Sequence, residues 1–283
     1  MNPRILHRLI PLRWLPGMGT VGLAIARCIT RQPDKPIPVL LIPARQQAAD
    51  SPLVIVLPGI GDDLLDLQNS GIAAAIQHGW PRADVLLTAA TLGYYLRGGV
   101  GQRLHNEIIL PAHAQGRQEI WLTGASMGGM GGLLFARRFP AEVSGMVLLA
   151  PYMGDARLIK TITASGGPGR WHPGLPPANI NRRNYQIELW RVVHGWARHP
   201  ETTRNVWLVA GSRDRLLPSA KLVAPLLPAG HFLELPGGHS WKVWSAAARE
   251  IFARIAAQSA VADCAVNISQ QNRQDSADRG SMR

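Results

Sequence analysis

The sequence predicts one α/β domain built on a mostly parallel central sheet with helices on both faces. After residue 36, short apolar runs rich in Val, Ile and Leu alternate with longer helical patterns, an order typical of parallel strands joined by crossover helices. A chain of 283 residues, 46% of them hydrophobic, can bury one large core but is short for two catalytic domains. In this architecture ligands bind beyond the carboxyl ends of the strands, so we expect the functional residues in the strand-to-helix loops.

The individual elements follow from these apolar runs and from the proline and glycine residues between them. The predicted strands are Ile37 to Ile42, Leu53 to Leu57, Val85 to Leu87, Ile120 to Thr123, Val143 to Leu149, Val206 to Ala210 and Phe232 to Leu235. The predicted helices are Asp66 to His78, Val100 to Ala114, Met127 to Phe139, Ser219 to Leu227 and Trp241 to Ala257. Pro140 ends the third helix because proline has no backbone NH to donate.

The α/β domain is expected over residues 37–258, with an insertion over about residues 151–204. About 55 residues separate the two strands that flank the insertion, which is more than a crossover needs. We predict a helical lid whose aromatic side chains cover the active site. The alternative is an ordinary helical excursion that packs on the core through the same side chains. These aromatic residues are Trp171, Tyr185, Trp190 and Trp196.

The two ends of the chain fall outside this domain. Residues 1–36 form a basic and apolar segment in which prolines and glycines interrupt the run from Leu15 to Ala26, so it lacks the uninterrupted apolar stretch of a membrane-spanning helix. We favour a surface-lying or mobile segment of a cytoplasmic protein. Peripheral membrane contact and export through a weak signal peptide are the alternatives. The tail, residues 259–283, is predicted to be disordered because it becomes almost free of apolar residues.

The formal net charge is +12, but the basic residues are spread over helix faces and loops and form no recognisable nucleic-acid-binding motif. We therefore expect no nucleic acid as a partner, and attraction to anionic membrane surfaces is the second choice. The two cysteines, Cys28 and Cys264, lie near opposite ends of the chain and have no metal-binding spacing. The oligomeric state stays open.

The candidate nucleophile is Ser126, in a G-x-S-x-G run that follows an apolar strand and precedes a helix. A serine on such a sharp turn leaves almost no room for neighbouring side chains, and Gly124 and Gly128 supply that room. The turn also places the serine at the positive end of the next helix, where a developing oxyanion is favoured. The spacing therefore predicts a nucleophile elbow.

A nucleophilic serine needs a base, and the base needs an acid that orients it. Asp214 and His239 follow Ser126 in the chain, each in a turn after a later predicted strand, which is the order typical of this chemistry. Taken singly, Asp214 could cap the next helix and His239 could be an ordinary turn residue. Asp155, after the strand that ends near Ala150, is a rival for the acid. We predict the triad Ser126, Asp214 and His239.

A tetrahedral intermediate also needs two hydrogen-bond donors aimed at its oxygen. We expect one from the backbone NH of Met127, directly after the nucleophile, and one from the NH of Ile60 in the glycine-containing loop after the second strand. Asp62 and Asp63 follow this loop. They are expected to cap or solvate the next helix, and the alternative is contact with a cationic part of a substrate, as a peptidase or amidase would require.

The segments PGIG (58–61), GASMGG (124–129), GSRD (211–214) and GGH (237–239) together resemble the α/β-hydrolase superfamily over about residues 37–258, and bacterial carboxylesterases in particular. Pro58-Gly59 stands where many members have a His-Gly pair. The resemblance implies a serine hydrolase that cleaves a carboxylic ester of a small acyl substrate through an acyl-enzyme on Ser126, without metal or organic cofactor. The alternatives are a thioesterase, amidase, peptidase or acyltransferase that uses the same triad, or a binding module without turnover.

Overall fold

The computed structural model describes residues 34–96 and 99–281. The predicted N-terminal segment lies outside these residues up to position 33, and Cys28 with it. Within the described part, seven strands form one sheet in the order β1-β3-β2-β4-β5-β6-β7. They are β1 (Val39–Ile42), β2 (Leu53–Leu57), β3 (Asp84–Thr88), β4 (Ile120–Ala125), β5 (Gly145–Leu149), β6 (Val206–Gly211) and β7 (Phe232–Leu235).

The sheet is parallel except at one edge, where β1 pairs with β3 in the antiparallel sense. The prediction of a mostly parallel sheet is therefore confirmed, and every strand that carries a predicted site loop, β2, β4, β6 and β7, runs in the same direction. Their carboxyl ends meet at one edge of the sheet, which is where the site has to lie.

The helices follow the predicted alternation and add elements in the insertion. They are α1 (Leu64–Asn69), α2 (Ile72–Gly79), α3 (Leu92–Leu96), α4 (Val100–Leu104), α5 (Leu110–Ala114), α6 (Met127–Arg138), α7 (Ala156–Ala164), α8 (Tyr185–Arg198), α9 (Leu217–Val223) and α10 (Trp241–Ser281). A π-helical turn, His105–Ile109, joins α4 to α5, and short 3₁₀ turns cover Pro200–Thr203 and Ala224–Leu226.

Two helices that the sequence predicts as continuous are interrupted. Gly71 adopts a φ of 75° and separates α1 from α2, because only glycine enters this left-handed region without strain. Pro111 cannot donate the hydrogen bond that an α-helix needs at this position, and the turn directly before it widens into the π-helical His105–Ile109.

Two apolar cores cover the two faces of the sheet, because successive side chains of a buried strand point to opposite faces. Leu53, Ile55 and Leu57 of β2 belong to one core, which includes side chains from α6 and α8. Val54 and Val56 belong to the other, which includes side chains from α2 and α10. Each such fully buried aliphatic side chain contributes about 1.5–3 kcal/mol, so burial on both faces fixes the register of the strands.

The aromatic residues of the insertion pack on the core. Tyr185, Trp190 and Trp196 of α8 are buried, and Trp171 packs partly buried against the same cluster. Trp190 Nε1 donates a 2.6 Å hydrogen bond to the carbonyl of Met153. None of the four aromatic residues lines the cavity described below, so the expected aromatic roof over the site is absent from this structure. These positions agree with the alternative, an ordinary helical excursion that packs on the core. Movement of the insertion as a lid stays a prediction.

A buried carboxylate ties the insertion to the domain. The Glu188 side chain is 1% exposed and accepts hydrogen bonds from Nε of Arg137 in α6 (3.0 Å) and Nε of Arg191 (2.9 Å). Arg191 also donates to backbone carbonyls of residues 173–175. The loop before α8 is thus held to the helix that carries the nucleophile, which stabilises the surroundings of the site.

The tail predicted as disordered, residues 259–283, is helical to Ser281, because α10 continues without interruption from Trp241. The prediction failed since extending an existing helix adds one hydrogen bond per residue and needs no new nucleus. The segment has no proline, and its first glycine is Gly280. Among the described helices, α10 included, none combines the length and apolar character needed to cross a bilayer.

Candidate active site

The predicted site residues converge at the carboxyl edge of the sheet. Ser126 follows β4, Ile60 follows the adjacent β2, Asp214 follows β6 and His239 follows β7. These four residues and Met127 line one cavity of about 420 Å³. Ile60 and His239, which are 179 positions apart in the sequence, therefore line the same cavity. Its volume suits a small organic substrate.

Ser126 lies on a strained turn between β4 and α6. Its backbone angles are φ 51° and ψ −106°, and in the described residues only Ala150 is another non-glycine residue with positive φ. The NH of Ser126 donates to the Leu149 carbonyl, and the Ser126 carbonyl accepts from the NH of Tyr152, both at 2.9 Å. Such a conformation costs about 1–3 kcal/mol and persists only where neighbours hold it. Here the last residue of β5 and the loop after it supply those hydrogen bonds.

Gly124 and Gly128 allow this turn to form. A Cβ atom on Gly124 would overlap the backbone carbonyl of Gly128, and a Cβ on Gly128 would lie 2.5 Å from the carbonyl oxygen of Leu57. Neither neighbour can move without disturbing the sheet, since the atoms in the way are backbone. The elbow therefore packs directly against the loop after β2, which carries the second predicted oxyanion donor.

Asp214 and His239 are in direct contact. Asp214 Oδ2 lies 2.7 Å from His239 Nδ1, and the Asp214 side chain is fully buried, whereas that of His239 is 30% exposed. The other carboxylate oxygen, Oδ1, accepts from the NH of Leu216 at 2.8 Å. This bond fixes the carboxylate. The arrangement favours the tautomer with the proton on Nδ1 and leaves Nε2 of the imidazole as an acceptor.

The loops that carry the acid and the histidine are hydrogen-bonded to each other. The NH of Arg213 donates to the Gly237 carbonyl, and the NH of Ser212 donates to the Leu235 carbonyl, both at 2.8 Å. A Cβ on Gly211 would lie 2.6 Å from the Gly237 oxygen. Only glycine at position 211 permits this approach, so the glycines of GSRD and GGH bring acid and base together.

Ser126 and His239 both line the cavity. In the part of the chain that the structure describes, their side chains form no hydrogen bond with each other. Contacts between a nucleophile and its base are often long in the absence of substrate and tighten when substrate binds. Among the hydrogen bonds of the described part, the His239 side chain forms one, through Nδ1, which leaves Nε2 facing no protein partner.

The backbone NH groups of the two predicted oxyanion donors have no acceptor within the described part of the protein. Met127 is the first residue of α6, so its NH has no partner within the helix. The NH of Ile60 donates to no acceptor in the part of the chain that the structure describes. Gly61, with a φ of 94°, lets the chain turn directly after it. Two NH groups of residues that line the cavity with Ser126 thus lack a protein acceptor in the described residues and can bind a negatively charged oxygen.

Asp62 holds this loop, a role that the sequence analysis missed. Its Oδ2 accepts one hydrogen bond from the NH of Gly59 at 3.1 Å and one from Trp241 Nε1 at 3.0 Å. Asp63 caps α1 as predicted from its position, accepting from the NH groups of Leu65 and Asp66. Neither Asp62 nor Asp63 lines the cavity, so the acid that an amine-recognising site requires is not supplied by this pair.

The contacts of Asp62 continue to His239 through two tryptophans. The edge of Trp244 meets the His239 ring at a centroid distance of 4.7 Å and an angle of 90°, and Trp241 meets Trp244 at 5.1 Å and 87°. The oxyanion loop and the histidine are therefore braced by the same first turns of α10. The signal in the sequence is the pair of tryptophans two and five positions after His239.

Asp155, the rival acid, lines the cavity but serves another purpose. It is the N-cap of α7, and its Oδ1 accepts from the NH of Leu158 at 2.9 Å. The acid that contacts His239 is Asp214.

Of the other histidines, His231 stacks on Trp207 at a centroid distance of 3.8 Å, and burial lowers the pKa of its imidazole. The described residues contain no cluster of three or more His, Cys, Asp or Glu side chains arranged for a metal ion.

The environment of Asp62 yields a prediction on stability. Burial raises the pKa of this carboxyl above its ordinary value of 3.8, against the opposing effect of the Trp241 hydrogen bond. The folded protein thus binds the proton more tightly than the unfolded chain, so the contribution of Asp62 to stability grows as pH falls through the raised pKa towards 3.8 and is lost as pH rises. Asp62→Asn removes the partly buried charge and should be more stable than wild type at neutral pH. This difference should shrink as pH falls through that window.

Thermal unfolding of both proteins at several pH values measures the difference. Asp63→Asn is the matched control: it removes a carboxylate that a helix N-terminus favours, so it should not exceed the wild-type stability at neutral pH. A difference for Asp62→Asn that is constant over pH would contradict the assignment of a raised pKa to this partly buried carboxyl.

Comparison with solved structures identifies the fold. A ferulic acid esterase is 14% identical over 78% of this chain and 99% of its own, with a TM-score of 0.52. The fluorophosphonate-binding serine hydrolase F of Staphylococcus aureus is 14% identical over 78% and 99%, with a TM-score of 0.51. The S-formylglutathione hydrolase FrmB of the same organism is 14% identical over 77% and 83%, with a TM-score of 0.50. The expected α/β-hydrolase fold is thereby confirmed.

No curated protein matches the chain in a sequence comparison. The Esterase family model matches residues 104–255, a stretch that contains Ser126, Asp214 and His239. The matched stretch is more than half of the chain, and the chain therefore belongs to the Esterase family, as an ester hydrolase of the α/β-hydrolase type.

Proposed function

We propose that the protein hydrolyses carboxylic esters of small acyl substrates through an acyl-enzyme on Ser126. The observation that carries the proposal is the 2.7 Å contact between buried Asp214 and His239, at the edge of the cavity onto which the strained Ser126 turn opens. A buried carboxylate against Nδ1 is what a histidine needs to act as a base on a serine. Family membership supports an ester as the substrate.

In the first half of the reaction, His239 Nε2 accepts the proton of the Ser126 hydroxyl as Oγ attacks the ester carbonyl carbon. The negative charge moves to the carbonyl oxygen, and the NH groups of Met127 and Ile60 stabilise it. His239 then protonates the departing alkoxide, which leaves as the alcohol. Asp214 stabilises the imidazolium that exists between these two proton transfers.

In the second half, a water molecule attacks the acyl carbonyl carbon and gives a proton to His239 Nε2. The same two NH groups stabilise the second tetrahedral intermediate. Collapse returns the proton to Ser126 Oγ and releases the carboxylic acid. The cavity wall is mostly apolar, which suits an acyl or alkyl group of the substrate, and its volume of about 420 Å³ sets the scale of what fits.

Ser126→Ala should abolish ester hydrolysis. Removing the nucleophile of such a triad lowers kcat by roughly 10⁴-fold or more, because the residual rate comes only from binding and the oxyanion donors. The measurement is hydrolysis of p-nitrophenyl esters of increasing acyl length, which also reports the size of the acyl pocket. Ser212→Ala is the control, since Ser212 is exposed beside the acid and does not line the cavity. Wild-type rates in Ser126→Ala would overturn the mechanism.

Asp62→Ala should lower kcat by about tenfold or more and change KM little, because it releases the loop that positions a donor used mainly in the transition state. Asp62→Asn should restore most of the activity. Its amide oxygen can accept the hydrogen bonds from both Gly59 and Trp241, which in wild type go to one oxygen. Equal losses in the two variants, or a loss confined to KM, would contradict this positioning role. Steady-state kinetics of the three proteins decides between these outcomes.

A further inference from the structure

The cavity wall carries two basic side chains that the proposed mechanism does not use. Lys160 comes from α7 and Arg215 from the loop after β6, so the two segments that flank the cavity contribute one cation each. Both residues are exposed. Within the described part of the chain, Lys160 forms no ion pair with a carboxylate. The Lys160 ammonium group therefore offers a ligand in the cavity a positive charge.

The carboxylates of the same cavity are directed elsewhere. Asp214 is buried, and its two oxygens contact His239 and the NH of Leu216. Asp155 accepts from the NH of Leu158 at the N-terminus of α7, where the helix dipole favours its charge. Both acids are thus held by groups of the protein itself, and neither forms an ion pair with Lys160 in the described residues.

Lys160 belongs to a helix face that lines the cavity. Ala156, Ile159 and Lys160 share one face of α7 and all line the cavity. Lys160 lies one turn, about 6 Å along the helix axis, beyond Ala156 at the start of α7. Apolar atoms make up most of the wall surface, and the apolar side chains that contribute are those of Ile60, Met127, Met130, Ile159, Leu216 and Pro218. A matching substrate combines apolar groups with an anionic group.

We propose that the enzyme prefers esters whose acyl chain ends in a carboxylate, which Lys160 and Arg215 bind. This substrate class rests on the proposed ester hydrolysis. Ammonium and guanidinium groups form charge-assisted hydrogen bonds with carboxylates, and the formal net charge of +12 raises the local concentration of anionic substrates. An anionic end group would add binding energy that a neutral ester of the same length cannot obtain here.

Three p-nitrophenyl esters of equal acyl length test the preference: the hexanoate, the monoester of adipate, and a hexanoate that ends in trimethylammonium. Ser126→Ala supplies the background rate, which includes any spontaneous reaction of the adipate. We expect kcat/KM to be about tenfold higher for the adipate than for the hexanoate and lowest for the cationic ester. The ratio of adipate to hexanoate should fall as salt is added.

Lys160→Ala and Arg215→Ala should each lower the ratio of adipate to hexanoate by about threefold to tenfold. The matched controls are Arg157→Ala on the same helix and Arg213→Ala in the same loop. Both control residues are exposed and absent from the cavity wall, and each substitution removes the same single charge. The controls should keep the wild-type ratio, which separates local recognition from the effect of overall charge.

The outcomes distinguish this inference from the proposed function. Hydrolysis of the hexanoate that depends on Ser126, with no preference for the adipate, would overturn the inference and leave the ester hydrolase standing. A preference that survives both Lys160→Ala and Arg215→Ala, or that falls equally in the two controls, would also overturn it. Failure of all three esters to react in a manner that depends on Ser126 would overturn the proposed function itself.

Discussion

The strained backbone at Ser126 is the constraint on which the rest of the site depends. A positive φ at a serine persists only when its surroundings hold it, and here Leu149 at the end of β5 and Tyr152 in the following loop hydrogen-bond to its backbone. The same turn requires Gly128 to lie against the carbonyl of Leu57. The nucleophile, the start of α6 and the oxyanion loop are therefore fixed relative to each other by backbone contacts that leave no room for larger residues.

A second set of contacts brings the base to this rigid elbow. The acid and histidine loops are joined by backbone hydrogen bonds, and Asp214 contacts Nδ1 of the His239 imidazole. On the other side, Asp62 links the oxyanion loop to Trp241, which packs on Trp244 against His239. The first turn of α10 thus connects the oxyanion loop with His239. We therefore expect a substitution that displaces one of them to affect the position of the other.

The sequence was informative wherever local chemistry decides the structure. Strand-to-helix order and close glycine spacing predicted the sheet and placed Ser126, Asp214 and His239 on loops that the structure brings to one cavity. It failed where the outcome depends on distant packing. The tryptophans of the insertion pack on the core, the role of Asp62 depends on a residue 179 positions away, and the tail continues a helix that began in the core. Periodicity and motifs do not identify which distant residues meet, even where the sequence shows conspicuous residues such as Trp241 and Trp244.

Identification of the acylated residue during turnover tests the central claim most directly. With p-nitrophenyl acetate, whose good leaving group makes acylation fast, acid quenching followed by proteolysis and mass spectrometry should find one acetyl group on the peptide that contains Ser126. The amount of this adduct should match the initial burst of p-nitrophenol. An acetyl group on another residue, or a burst with no adduct on Ser126, would contradict the account of the elbow as the catalytic centre.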